Sequence, residues 1–252
     1  MTMTAFRPPI HTMTGLLTLL LIVQLFANCS KAHPDAQDDG PEAGFLTGSV
    51  KDHAGQPLEG VRVLVDHSIF FNSNISGVTN SRGTYSIDLP TGSWHAFAIQ
   101  QVVYHGKTYS FYLHPDNPTG FGGEGAVRNF VWKLSGVMPP PLSGHYGGLI
   151  TIDNFPGVYI EESAIDFTLT PVGPLIDGST GEAIRCRADD GYQIKDIPIG
   201  RYRLTATYEG KPVTFRRWNS EEAFVSDYEL NFEPQIAAQC DNCAKVEYNW
   251  QP

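Results

Sequence analysis

Tyr85-Ser86-Ile87-Asp88-Leu89-Pro90-Thr91-Gly92-Ser93-Trp94 returns in the second half of the chain as Tyr192-Gln193-Ile194-Lys195-Asp196-Ile197-Pro198-Ile199-Gly200-Arg201-Tyr202, with one inserted residue. Each copy reads aromatic, Ile, Asp, aliphatic, Pro, Gly, aromatic. Alternating apolar positions describe a strand with one buried face, and the Pro-Gly turn that follows launches the next strand. Both copies follow a turn rich in Asn, Asp and Gly, so the spacing predicts a duplicated β unit. Around the first copy, Phe45 to Val50, Val61 to Val65, Trp94 to Val103, Tyr109 to Leu113 and Val127 to Leu134 all read as strands. Asn72 to Gly77 and Asn80 to Gly83 read as turns. About seven strands in roughly 90 residues is the size of one antiparallel sandwich.

Around the second copy the strand-like segments are Leu149 to Ile152, Val158 to Ile160, Ile165 to Thr170, Tyr202 to Tyr208, Val213 to Arg216, Tyr228 to Phe232 and Lys245 to Trp250. Between the two sets lies Gly136-Val137-Met138-Pro139-Pro140-Pro141-Leu142-Ser143-Gly144. Three consecutive prolines cannot donate a ladder, so residues 137–146 are expected to be a stiff linker between a first sandwich at 44–136 and a second at 147–252. With 25 glycines, 18 prolines and no long run of helix formers, the composition is that of short strands joined by turns.

The start of the chain points to location. An apolar run from Gly15 to Ala27, too short for the roughly 20 residues that span a bilayer, stops at Leu25-Phe26-Ala27-Asn28-Cys29. It resembles a bacterial lipoprotein signal, with 1–28 removed and Cys29 lipidated; ordinary secretion and a retained anchor helix are the alternatives. Residues 29–43, including SKAHPDAQDDGPEA, lack apolar periodicity and are expected to be a flexible tether. The implied place is the bacterial cell envelope, lipid-anchored at the outer membrane or cell surface. The formal charge of −10 argues against nucleic acid or an anionic surface as a partner, because both require basic patches. The expected partners are a membrane, through the N-terminal lipid, and a glycan or envelope protein.

Asp52-His53-Ala54-Gly55-Gln56-Pro57-Leu58-Glu59-Gly60-Val61-Arg62-Val63, continued by Thr79-Asn80-Ser81-Arg82-Gly83-Thr84-Tyr85-Ser86-Ile87, resembles the carboxypeptidase regulatory-like domains. The resemblance covers about Gly44 to Gly136, and beyond Gly147 it rests on the Pro-Gly turn. It implies a transthyretin-like sandwich. The expected fold is therefore all-β, two tandem transthyretin-like antiparallel β-sandwiches after a signal peptide and flexible tether. Family members of this kind usually lack activity of their own, so the resemblance implies a folding, spacing or contact module without a cofactor.

Three enzyme readings compete with it. Tyr104-His105 and Tyr112-Leu113-His114 bring together the ligand types of an intradiol dioxygenase iron site, but the His-x-His pair of that family is missing. The Tyr-Arg-Gly-Ser motif of hydroxyisourate hydrolases is missing too, and no room remains for a zinc carboxypeptidase domain. Asp177-Gly178-Ser179-Thr180-Gly181 and Asp189-Asp190-Gly191 lack a full calcium ligand set and read as turns.

With Cys29 assigned to lipid, Cys186, Cys240 and Cys243 remain as disulfide candidates. Cys240-Asp241-Asn242-Cys243 has the spacing of redox and zinc sites, yet no second pair and no nearby His accompany it. A structural bridge, within that loop or from Cys186, is the expectation, with redox chemistry and metal as alternatives. Ligand-binding candidates are Tyr112, His114, Asp116 and Asn117 in the aromatic and polar stretch up to Phe121, with Trp132 as a stacking platform. Aromatic faces beside Asp and Asn can stack on and hydrogen-bond to sugar rings. Core packing by Tyr109, Phe111 and Leu113 is the alternative use of that stretch. No residue is assigned to catalysis or metal binding.

Overall fold

A computed structural model describes residues 40–140, 142–188, 191–236 and 240–252; Cys29, the apolar run and the tether up to Asp39 lie outside the described residues. The chain from Asp39 to Pro252 is one compact unit. It is all-β, with a single 3-10 turn at Glu162–Ala164 among the described residues. The first half supplies β1 (Phe45–Asp52), β2 (Arg62–His67), β3 (Asn74–Val78), β4 (Thr84–Asp88), β5 (Trp94–Tyr104), β6 (Lys107–Leu113), β7 (Ala126–Val127) and β8 (Phe130–Trp132). The second supplies β9 (Gly148–Asn154), β10 (Asp166–Pro171), β11 (Ile184–Cys186), β12 (Gln193–Ile197), β13 (Arg201–Tyr208), β14 (Lys211–Arg217), β15 (Tyr228–Asn231), β16 (Glu233–Ile236) and β17 (Cys240–Asn249).

In the first half β1 lies between antiparallel β4 and the parallel pair β7 and β8, while a second sheet runs β3-β2-β5-β6. Period-2 alternation sends Tyr85 and Ile87 of β4, and Tyr109, Phe111 and Leu113 of β6, into the space between the sheets. Gly48 lets the sheet close on β7 and β8: a Cβ there would collide with the Arg128 carbonyl, which accepts a 2.6 Å bond from the buried Tyr85 hydroxyl.

The second half repeats these pairings. β9 is flanked by antiparallel β12 and parallel β17, as β1 is by β4 and β8. β11-β10-β13-β14 runs in the order of β3-β2-β5-β6. The repeated signature is the β4-to-β5 and β12-to-β13 turn. In both turns the closing aromatic bonds back to the proline carbonyl: Trp94 Nε1 donates to Pro90 O at 3.1 Å, and the Tyr202 hydroxyl to Pro198 O at 2.8 Å. One difference matters below. β14 pairs directly with β17, joining both layers of the second half into one nine-stranded sheet. Their counterparts β6 and β8 share no ladder; past the end of β6, Pro115 forms an isolated bridge to Phe130.

Several local expectations change. Asn74 to Val78, inside the expected turn Asn72 to Gly77, is edge strand β3; its ladder to β2 outweighs the turn propensity of Asn74 and Gly77. Val158 to Ile160 is not a strand: Val158 N closes a turn onto Phe155 O, and its own carbonyl accepts from Asn154 Nδ2. The proline segment doubles back instead of running straight, with Val137 bridging His145, Met138 N bonding Gly144 O, and Tyr146 N bonding Gly136 O. That places Pro139 and Pro140 near the tip of a hairpin, where their missing N–H groups leave no ladder position empty.

The extra residue of the second signature, Lys195 ahead of the shared Asp196, accompanies a bulge that secures this hairpin. Between Ile194 and Ile197 the β9–β12 register shifts, and Asp196 adopts a left-handed φ of 63°. The bulge turns its carboxylate onto the hairpin base, where Gly136 N–H donates to both oxygens at 2.9 Å and Gly147 N–H to Oδ1 at 3.1 Å. Gly147 is required at this approach, since a Cβ would stand 2.5 Å from the Asp196 carbonyl carbon.

Candidate functional site

The two-residue turn His105-Gly106, with φ of 47° and 78°, closes the β5–β6 hairpin and pairs Tyr104 with Lys107. This register buries Tyr109, Phe111 and Leu113 and leaves Thr108, Ser110 and Tyr112 on the opposite face. One step further on, β8 turns Trp132 inward, where its ring packs on Phe111 at 5.2 Å between centroids. Between these strands and the second half lies a cleft of about 480 Å³. Ser110, Tyr112 and His114 form one wall and Trp132 and Lys133 another; His145, Tyr146 and Asn242 close it.

The Cys240–Cys243 disulfide, with Cα atoms 6.0 Å apart, spans the loop that holds Asn242 in a left-handed conformation, φ 52°. Asparagine tolerates that conformation better than most residues. Asn242 Nδ2 donates to the Ser110 carbonyl at 3.1 Å, tying the end of β17 to β6. Its Oδ1 is buried without a hydrogen-bond partner among the described residues, and so is Trp132 Nε1. Two residues that line the cleft therefore each hold an unmet polar atom, one acceptor and one donor, each a costly state for a buried polar atom. Burial lowers the pKa of His114 and raises that of Tyr146, so both rings stay uncharged near neutrality, while Lys133 Nζ lies 5.2 Å over the Tyr146 ring.

Of the residues singled out in the sequence, Tyr112, His114 and Trp132 come together here. Tyr112 is 60% exposed beside Phe97, but Trp132 is 6% exposed, so its ring is no open stacking platform. Asp116 and Asn117 do not join them. Asp116 accepts from Asn129 N and Nδ2 and from Asn117 N, and Asn117 Oδ1 accepts from Thr119 N, so both serve the loop's own turns. Tyr104 and His105 sit at the far end of β6 from His114; the Tyr104 hydroxyl donates to Pro174 O at 2.9 Å and accepts from Arg201 N at 3.1 Å. Cys186 is half-buried on β11, paired in register with Phe167 of β10. Asn242, His145 and Tyr146 carried no signal in the sequence beyond an Asn inside a C-x-x-C loop and aromatics after a proline run.

A larger cleft of about 820 Å³ is lined by Arg217, Trp218, Tyr228, Glu229 and Lys245. Its charges are engaged, Lys245 with Asp153 at 2.9 Å and Arg217 with Glu222 at 3.5 Å, and Lys107 is paired with Glu233. No set of three or more His, Cys, Asp or Glu side chains among the described residues is grouped to hold a metal ion.

No family model and no curated protein matches the chain. Among solved structures, the Bacillus anthracis TIE protein is similar at 16% identity and a TM-score of 0.29 over 81% of this chain and 33% of that one. The minor pilin GBS52 of Streptococcus agalactiae is similar at 12% and 0.25 over 83% and 98%, respectively. A single B repeat unit of the collagen-binding surface protein of Staphylococcus aureus is similar at 10% and 0.24 over 84% and 100%. The chain spans about a third of the length of the first of these. At such TM-scores the likeness carries nothing about this chain's role.

Proposed function

We propose that the chain is a non-catalytic module of the bacterial cell envelope, held by a lipid on Cys29, that binds a neutral polar ligand, a glycan or a stretch of envelope protein, in the cleft between β6, β8 and the start of β17. The observation that carries this reading is the pair of unpartnered buried atoms, Trp132 Nε1–H and Asn242 Oδ1, on two residues that line one cleft. A ligand with adjacent donor and acceptor, such as a hydroxyl or an amide, would satisfy both while lying against Tyr112 and Tyr146. Walls that carry one cation, Lys133, and one carboxylate, Asp241, beside polar and aromatic side chains suit such a ligand better than a polyanion, in keeping with the net acidic chain.

Catalysis is disfavoured by geometry. The Tyr104 and His105 end is separated from His114 by the length of β6, and the Asp116 carboxylate is taken up within its own loop. No nucleophile and base from the set converge on one point.

The test is a glycan-array and envelope pull-down screen with the full chain, followed by titration of any hit against Trp132→Phe. That change removes the N–H and keeps an aromatic ring. Its cavity cost and the relief of an unpaired donor offset each other to within about 1 kcal/mol. Binding weakened at least tenfold with the melting temperature nearly kept supports the site. Unchanged binding rejects it.

A further inference from the structure

The β2–β3 connection carries Ile69, Phe70 and Phe71 at 76%, 64% and 101% exposure. Single exposed apolar residues are ordinary, but three large ones in succession at a hairpin tip are not. Nor is the tip loose. His67 Nδ1 accepts from the N–H groups of Ile69 and Phe70 at 3.1 and 3.2 Å, and its ring lies against Phe70 and Trp94. His67 N bonds Ser73 O, and Ser68 N bonds Ser93 O, both at 2.8 Å. The loop is thus fixed with its three apolar side chains largely exposed, Phe71 fully so.

This tip stands at the end of the first sandwich where the chain enters. His67 pairs with Trp94, Trp94 bridges Phe121, Gly44 N bonds Gly123 O, and Leu89 N bonds Gly44 O. Cys29 precedes Gly44 by fifteen positions, a stretch that reaches at most about 50 Å when extended. A membrane holding Cys29 therefore faces the apolar tip, within reach but not in enforced contact.

We propose that Ile69, Phe70 and Phe71 insert into the interfacial layer of that membrane, with zwitterionic phospholipid as their ligand. The proposal rests on the anchored reading for which surface the tip meets. Stable attachment commonly needs two signals, and a shallow apolar wedge supplies a second beside a lipid chain. The exposed carboxylates Glu42, Asp66, Asp88 and Glu124 occupy the same end, with no exposed Lys or Arg in the strand ends and turns that form it among the described residues, which selects against anionic lipid.

The test places Phe71→Trp in the full chain reconstituted in phosphatidylcholine vesicles, read as the fluorescence difference from wild type. Ser81→Trp, in the exposed β3–β4 turn at the opposite end, is the control. The expected result is a blue shift at position 71, emission cut by roughly half with brominated acyl chains, neither effect at position 81, and a weaker effect as phosphatidylglycerol is added. Emission at 71 that brominated lipid does not quench overturns the proposal, even if the emission is shifted. Cell fractionation of Cys29→Ser separates the two readings: retention of this variant with an unprocessed leader refutes the lipid anchor, while quenching at 71 stands or falls by itself.

Discussion

Replacing Asp196 should cost more than its half-exposed position suggests, because its carboxylate holds both ends of the proline hairpin. Asp196→Ala removes the acceptor of Gly136 N–H and Gly147 N–H. A hydrogen bond to a charged group contributes about 1.5 to 3 kcal/mol when it is shielded from water. Both glycines are half-buried, so water replaces part of the loss and about 2 kcal/mol for the two together is the fair figure. Alanine at φ 63° adds about 1 kcal/mol of left-handed strain, bringing the expected loss to about 3 kcal/mol. Asp196→Gly relieves the strain but not the lost acceptor and should cost about 2 kcal/mol; Asp196→Asn keeps one carbonyl oxygen and tolerates the conformation, for about 1 kcal/mol. Urea unfolding of the full chain and the three variants at one pH gives these differences from the midpoints at constant slope. The order Asn, Gly, Ala is the signature. A loss below about 1 kcal/mol for Ala, or Asn as damaging as Ala, would refute the clamp.

Excised segments 44–136 and 144–252 should each melt cooperatively, because no extended ladder joins them, but below the whole chain, because each loses the Tyr109 hydroxyl bond to Phe232 O and the Asn242 bond to Ser110 O. Melting of the whole chain with neither segment cooperative would show one indivisible core. Burial holds the His114 pKa below its ordinary value of 6.5, so the folded state binds fewer protons there than the unfolded state as pH falls. Its contribution is complete above 6.5 and is lost as pH drops toward the depressed value, so His114→Gln should flatten stability against pH over that window. An unchanged curve would place the imidazole in water.

What the sequence revealed follows the range of the interactions involved. Alternation at Tyr85 and Ile87, or at Tyr109, Phe111 and Leu113, is a local consequence of one buried face, and those strands were legible. Asn74-Ile75-Ser76-Gly77-Val78 was not, because an edge strand with one neighbour needs little apolar pattern and its residues favour turns. β16 was hidden by Pro234, which a strand accepts where the missing N–H faces away from its partner. The one-residue shift that Lys195 introduces ahead of Asp196 in the second signature looked like spacing variation. Its role depends on Gly136, sixty positions away, and no local pattern encodes that. Trp132 was noticed for its ring, yet packing on Phe111 buries that ring and leaves its N–H a buried donor without a partner among the described residues. Asn242 was masked by the cysteines around it, since their spacing draws attention to sulfur and not to the amide they hold in place.

The two halves explain why the cleft lies where it does. Each half ends with a strand parallel to its first, β8 on β1 and β17 on β9, and each has a hairpin whose second strand, β6 or β14, comes up beside it. In the second half these strands bond to each other from Thr214 with Asn249 to Arg217 with Val246, and the seam is sealed. In the first half the segment between β6 and β7 is the loop from His114 to Gly125, built from its own turns through Asp116, Asn117 and Glu124. It draws Pro115 to Phe130 and no further, so β6 and β8 are left unzipped toward the second half. The corresponding stretch of the second half is β15 and β16. β16 pairs with β17 and, with it, brings Pro234, Gln235, Asp241 and Asn242 against the opening. The insertion in one copy thus roofs the seam left open in the other, while the bulge at Asp196 fixes the hairpin that sets their spacing. A cleft formed this way needs both halves, which is why neither signature alone could announce it.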